Sequence, residues 1–347
     1  MTEILHLFDR PFILSHTSVR EGENKLGQTL KLVEREGDLS AQISESGARF
    51  VVVFAPEDVG VRANLGRPGA SETWPYALKG ICNLQDNLFL RGEHLMILGA
   101  IETADLMEEA QRLREDSPEG IAALRELTSQ LDDRVRQIVG AIFTAGAFPI
   151  VIGGGHNNVY PILAAWYDTH ESVLSAINFD PHADYRAMEG RHSGNGFRYA
   201  HEEGILDKYA IIGLHEGYNS QDMMNLLRSD PDLRYSTFED IAVRRIISLS
   251  ETIQNSLDFI EDDHFGIELD LDAIPGIPVS AATPTGLTFE DARHYVYSCA
   301  KRKNSSYLHL CEGSAGLAND LQKTELPKVY GALVADLIKG SLESEND

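Results

Sequence analysis

The sequence predicts an α/β fold built on a mostly parallel sheet with helices on both faces. Two observations carry this. Short apolar runs of strand length recur along the chain, and stretches with helical spacing separate most of them. Several runs also end abruptly in glycine or ionisable residues, as strands do where a ligand site lies beyond their carboxyl ends.

Taken in order, "FVVVFA" (50–55) and "LMILGA" (95–100) read as buried strands. A long helix follows the start signal "DSPEG", with Ile121, Leu124, Leu127, Leu131, Val135, Ile138 and Ile142 at three- and four-residue steps. Next come "FPIVIGG" (148–154), "VLSAINFD" (173–180), "YAIIGLH" (209–215), "FGIELDLD" (265–272) and "YLHLCEG" (307–313). Further helical patterns follow Thr288 and fill 325–340. With no repeat, low-complexity block or Pro/Gly/Ser linker, residues 1–340 read as one catalytic domain, and 341–347 as a disordered tail.

A chain of 347 residues that is 43% hydrophobic and 24% charged is long and apolar enough for a large globular core. A net charge of −24 argues against nucleic acid and anionic membrane as partners, because phosphate binding needs a basic stripe. The start "MTEILHLFDR" lacks the basic and apolar regions of a signal peptide, and no apolar run approaches membrane-spanning length. Cys82, Cys299 and Cys311 are an odd number without CxxC spacing, which suits a reducing cytoplasm and no disulfide framework.

The strand ends hold the chemistry. "FPIVIGG" runs into His156, "VLSAINF" into Asp180, His182 and Asp184, and "FGIEL" into Asp270 and Asp272. In an extended strand, alternate residues share a side, so Asp180, His182 and Asp184 are expected to point together. Four crowded carboxylates repel unless a cation sits among them. Oxygen and imidazole ligands without thiolate suit Mn²⁺, with Fe²⁺, Co²⁺ or Zn²⁺ as alternatives. Six ligands suit two ions that share carboxylates, about 3.5–4 Å apart, an arrangement that acidifies a water held between them. The bland alternative is a polar rim capping helix N-termini, which seldom gathers so many ligand types.

These residues resemble the ureohydrolase superfamily of arginases, agmatinases and formimidoylglutamases. That family carries GGxH, DxHxD and SxDxD segments; here they read "GGGH", "DPHAD" and "ELDLD". The resemblance implies that His156, Asp180, His182, Asp184, Asp270 and Asp272 bind two Mn²⁺ per subunit, with Asp184 also holding the nucleophile. It implies a three-layer α/β/α sandwich on an eight-stranded, mostly parallel sheet, hydrolysis of C–N bonds in a small amidine or guanidino substrate, and a homotrimer or homohexamer. "EDVGVRANLGRPGA" (57–70) resembles the DEGVRRNxGRxGA segment of formimidoylglutamases, and "HSGNGF" their SSGTPF. The implied reaction is N-formimidoyl-L-glutamate to L-glutamate plus formamide, in histidine degradation. Another ureohydrolase activity, or a metal-binding member without turnover, is the alternative. A Rossmann dinucleotide enzyme ranks lower, because "GGGHNN" lacks GxGxxG.

The departures bear on mechanism. Asn157 stands where formimidoylglutamases usually have Glu, and Glu268 replaces the Ser of SxDxD. "AIPGIP" after Asp272 lacks the usual later Asp-Pro. Either His192 or Ser193 falls where arginases carry a catalytic histidine, so the proton shuttle stays open between these two and the metal-bridging group, with His192 placed in the expected catalytic set beside Asp184. "GLTFED" offers Asp291, or Glu290, for the Glu of GLTxRE that pairs with a guanidinium. A substrate with two carboxylates also needs cations, and arginine's planar fork suits them. Arg62, Asn64 and Arg67 in the glycine-rich loop, and Arg186, Arg191 and Arg198 after DPHAD, are the candidates. Asn195, His215, Glu216, Asn219 and Glu312 also follow strand ends, and the expected substrate-binding set is Arg62, Asn64, Arg67, Arg186, Asn195, Asn219, Asp291 and Glu312.

Overall fold

The computed structural model describes residues 4–33, 37–261 and 263–344. Its strands are β1 (Leu5–Leu7), β2 (Phe50–Phe54), β3 (Leu95–Ile101), β4 (Phe148–Ile152), β5 (Leu174–Phe179), β6 (Leu206–Leu214), β7 (Leu233–Thr237), β8 (Phe265–Asp270) and β9 (Ser305–Cys311). They form one sheet in the order β1-β3-β2-β4-β9-β8-β5-β6-β7. β2 to β9 make the expected eight parallel strands. β1 adds a ninth, antiparallel to β3. β1 and β7 have no counterpart among the apolar runs, because both are edge strands. "LHL" is only three residues long, and "LRYST" is half-buried at best along its middle.

Alternation along the strands divides the interior into two cores. Phe50, Val52 and Phe54 face one; Val51 and Val53 face the other. The first core packs helices Trp74–Cys82, Leu249–Ile260, Phe289–Ala300 and Asp320–Glu343 against the sheet. The second packs Ala104–Gln111, Pro118–Thr144 and Val159–His170. This is the three-layer sandwich. The helix expected after "DSPEG" starts at Pro118, with the Ser117 hydroxyl accepting from Gly120 N.

The chain stays packed past the expected start of a loose tail at 341. The last helix runs to Glu343, with Ser341 and Ser344 buried. An Arg49 guanidinium nitrogen donates to Ser341 Oγ at 2.7 Å, which ties this turn to the sheet. Residues 345–347 lie outside the described residues. Among the described residues, no helix is long and apolar enough to cross a membrane, and the three cysteines are free and buried.

Candidate metal centre and substrate cavity

β4, β9, β8 and β5 are consecutive in the sheet. Parallel strands put their carboxyl ends on one edge, so His156, Glu312, Asp270 with Asp272, and Asp180 to Asp184 meet there although they are far apart in sequence.

After β4, Gly153 and Gly154 take φ of 98° and 71°, which turns the chain back sharply. A Cβ on Gly154 would meet Glu57 Oε1 at 2.4 Å. That same oxygen accepts from Gly155 N at 2.8 Å and from the Asn157 and Asn158 amides at 3.2 and 2.9 Å. So a carboxylate does hold this turn, but it comes from residue 57, not 157. Burial, more than any neighbour, pushes Glu57 up to about 7.

The turn delivers His156, fully buried, into the ligand cluster. Its Nδ1 lies 2.9 Å from Asp184 Oδ2, 3.2 Å from Asp180 Oδ2 and 3.4 Å from Asp270 Oδ2. His182 Nδ1 lies 3.1 Å from Asp272 Oδ2. Two groups result, His156–Asp180–Asp184–Asp270 and Asp180–His182–Asp272, each with its ligand atoms within 4.8 Å of one another. Asp180 belongs to both.

The expected strand pleat does not align the DPHAD ligands. β5 ends at Phe179, and the ligands sit on the loop beyond it. Asp184 reaches the cluster through a left-handed backbone, φ 45°. The loop is held instead by His182 N donating to Asp180 Oδ1 at 2.6 Å and Ala183 N donating to Asn219 Oδ1 at 3.1 Å.

The donor set fits two divalent cations. His156 Nδ1 and Asp272 Oδ1 are buried atoms with no hydrogen-bond partner, a costly state unless a cation meets them. Burial and then the charges of Asp272 and Asp180 push Asp270 well above the usual carboxylate range. Burial also holds Asp272 up at about 6, although His182 pulls it down. Divalent ions among these groups would relieve both burdens.

A family model described as "Arginase family" matches residues 51–329. The chain belongs to the arginase family. Its members are hydrolases of C–N bonds in amidines, and this chain is one of them. A formimidoylglutamase of Rhodococcus jostii strain RHA1 is 26% identical over 285 residues, covering 78% of each chain. The solved formimidoylglutamase from Bacillus subtilis superposes with a TM-score of 0.73 at 17% identity, over 94% of this chain and 95% of that one. A Trypanosoma cruzi formiminoglutamase solved with Mn²⁺ gives 0.70 at 18%, over 92% and 98%. At such identities these two likenesses speak for the fold.

In this family member four of the six candidate ligands, His182, Asp184, Asp270 and Asp272, line a cavity of about 500 Å³. Of the expected substrate-binding residues, Asn64, Arg186, Asn219 and Glu312 line it. Arg186 Nη1 donates to Asn64 Oδ1 at 3.0 Å, and Asn64 Nδ2 donates to Ser193 Oγ at 3.2 Å. Glu312 turns in with φ 62°, and its Oε1 accepts from His156 N at 3.0 Å. Asn219 spends its amide on the loop: its Nδ2 donates to the carbonyls of Pro181 and His215.

The other expectations are corrected. Arg62 is buried, and its Nε donates to Glu115 at 2.5 Å. Arg67 donates to the carbonyls of Val279 and Ser280, and so staples two loops together outside the cavity. Arg191 is buried against Asp132, between the rings of Tyr160 and Tyr199. Arg198 pairs with Glu202. Asn195 has its amide saturated by Arg191, His192 N and the carbonyls of Ala187 and Gly190. His215 is stacked between Tyr218 and Phe238, and Glu216 pairs with Arg244.

Asp291 caps a helix. Its carboxylate accepts from Thr288 N at 2.9 Å, and Thr288 Oγ1 accepts from Asp291 N at 3.1 Å. Asp291→Ala is therefore expected to cost about 1 kcal/mol of stability and to leave KM unchanged. A denaturation midpoint and a Michaelis curve check this together, and a raised KM would return Asp291 to the pocket.

His192, placed in the expected catalytic set, is fully buried and does not line the cavity. Its Nδ1 accepts from Gly194 N at 3.1 Å. Burial, with Arg186, Arg125 and Arg191 around it, pushes its pKa down to about 3, so it is neutral at physiological pH. Ser193, the other candidate for that place, faces the cavity.

Two residues that contact the candidate ligands had no site role in the sequence reading. Tyr218 lines the cavity face-on to His182, with centroids 5.6 Å apart, and its hydroxyl meets Thr283 Oγ1 at 2.9 Å. Nothing in "GLHEGYNS" marks that tyrosine. Glu268 lies behind His156, with Oε2 at 3.2 Å from its Nε2. Its one signal was its place in the SxDxD pattern, where Ser is usual.

Proposed function

We propose that this chain is a dimanganese hydrolase that converts N-formimidoyl-L-glutamate to L-glutamate and formamide. One observation carries the reading: a single cavity is lined both by carboxylates, Asp184, Asp270, Asp272 and Glu312, and by an arginine, Arg186. That polarity matches a substrate with a cationic amidine at one end and carboxylates at the other.

Six residues, His156, Asp180, His182, Asp184, Asp270 and Asp272, would hold the two Mn²⁺. When bound, the ions acidify a water at the floor and stabilise negative charge on the attacked amidine. Asp184, raised into the cavity by its left-handed backbone, orients that water and takes its proton. Glu312 has one oxygen on His156 N, so the other is available to the amidinium. Arg186, braced by Asn64, grips a carboxylate in a charge-assisted bond. Tyr218 walls the mouth and limits water entry. The departing amine is reprotonated from Asp184, with His192 playing no part.

A guanidino or amidino acid with a single carboxylate is the second reading. The withdrawal of Arg62 and Arg67 favours it, since Arg186 is left as the cavity's arginine. The test is a hydrolysis panel with Mn²⁺-loaded protein: formimidoylglutamate, arginine, agmatine and guanidino acids. Formimidoylglutamate is expected to give the highest kcat/KM. A faster guanidino acid would replace the reading, and no turnover across the panel would make this a metal-binding member without activity. The same reading places the protein in the cytoplasm, where its three buried thiols stay reduced, as a homotrimer or homohexamer.

A further inference from the structure

Gly266, Glu268 and Asp270 alternate along β8, so they project to one face of the sheet. Their register partners on β9 are Tyr307, His309 and Cys311. This face of the two strands lies directly behind the ligand cluster. Glu268 is fully buried there and has three polar partners. Tyr307 Oη donates to Oε1 at 2.5 Å, while His309 Nδ1 and His156 Nε2 lie within hydrogen-bond distance of Oε2, at 2.7 and 3.2 Å. The arrangement is built: a Cβ on Gly266 would meet the Tyr307 ring at 2.1 Å, so only glycine lets that ring lie across β8 to reach Glu268.

An ionised carboxylate only accepts, so an imidazole that bonds to it must present an N–H. A neutral imidazole has one N–H. If Glu268 holds it on Nε2 of His156, Nδ1 carries a lone pair. Nδ1 is the atom set among the oxygens of Asp184, Asp180 and Asp270. A serine hydroxyl can donate or accept, and would leave the choice open.

We propose that Glu268 is a positioning residue for the metal centre: it locks His156 in the Nε2–H tautomer and so turns the Nδ1 lone pair on the ion held by His156, Asp180, Asp184 and Asp270. Tyr307 and His309 hold Glu268 in place for this. Its negative charge also strengthens His156 as a ligand, as carboxylate partners of metal-bound histidines do. The inference rests on the reading of the six residues as a metal centre.

The test uses wild-type protein and the variants Glu268→Gln, Glu268→Ser and Tyr307→Phe. Mn²⁺ affinity is measured by competition with a chelating dye. The position of the His156 imidazole proton is read from nitrogen–proton NMR spectra of the metal-free protein, where no ion on Nδ1 imposes it. Glu268→Gln and Glu268→Ser are expected to weaken one of the two ions by about 10- to 100-fold, leave the other within a few-fold, and lose the Nε2–H signature. Tyr307→Phe keeps the carboxylate, so the signature should survive. If all three variants behave alike, the cluster is structural and the proposal falls. It falls alone if the wild type binds two ions and carries the proton on Nδ1, or if both Glu268 variants bind as tightly as wild type. A wild type that binds no ion removes the metal-centre reading itself. The spectrum of the metal-free wild type, in which no ion fixes the tautomer, decides the case even where a variant fails to fold.

Discussion

Asp180→Ala should strip both metals and lower kcat/KM by at least about 10³-fold. Asp180 is the one residue common to the two ligand groups. The ions supply several kcal/mol of charge stabilisation, and each 1.36 kcal/mol is about one decade of rate. Asp272→Ala should act more narrowly, because Asp272 falls in only one group. It is expected to weaken that ion and leave the other bound. Elemental analysis of purified, Mn²⁺-reconstituted variants, with circular dichroism as a folding control, reads both outcomes. Two ions retained in Asp180→Ala, or full activity in metal-stripped wild type, would sink the dimetal mechanism.

The second large effect is on substrate binding. Arg186→Ala should raise KM for formimidoylglutamate by roughly 10- to 100-fold, the worth of a charge-assisted hydrogen bond of about 1.5–3 kcal/mol. kcat should change far less, because Arg186 grips the end of the substrate remote from the reacting carbon. Agmatine, which has no carboxylate, should be unaffected. By contrast, Arg62→Ala should leave KM alone and cost stability, since its guanidinium is buried on Glu115. If Arg62→Ala raises KM and Arg186→Ala does not, the polarity assigned to the cavity is wrong.

These paired predictions show what kind of information each level holds. His156, Asp180, His182, Asp184, Asp270 and Asp272 were legible because each sits in a short motif directly after a β run. In a parallel sheet, every such end comes to the same edge, so local pattern is enough to bring distant motifs together. Glu312, at the end of the last run, was legible for the same reason. β1 and β7 were not, because edge strands need no continuous apolar run. The arginines were not, because a long cation goes wherever its partner lies. Arg62 finds Glu115 53 positions away, and Arg67 finds the Ser280 carbonyl 213 positions away. His192 and Ser193 are adjacent, so sequence spacing could not choose between them. The fold buries the ring at 192 and turns residue 193 into the cavity.

The amino-acid sequence by itself determined the α/β architecture, the parallel sheet and the candidate metal-ligand set that the fold gathers, since periodicity and strand-end chemistry are local properties of the chain. Only the tertiary structure decided which side chains line the cavity, that Glu57 holds the turn at residue 157, and that Glu268 with Tyr307 and His309 stands behind His156. Those assignments depend on long-range contacts that satisfy buried charges and hydrogen bonds, and each such group takes the partner that packing brings within about 3 Å.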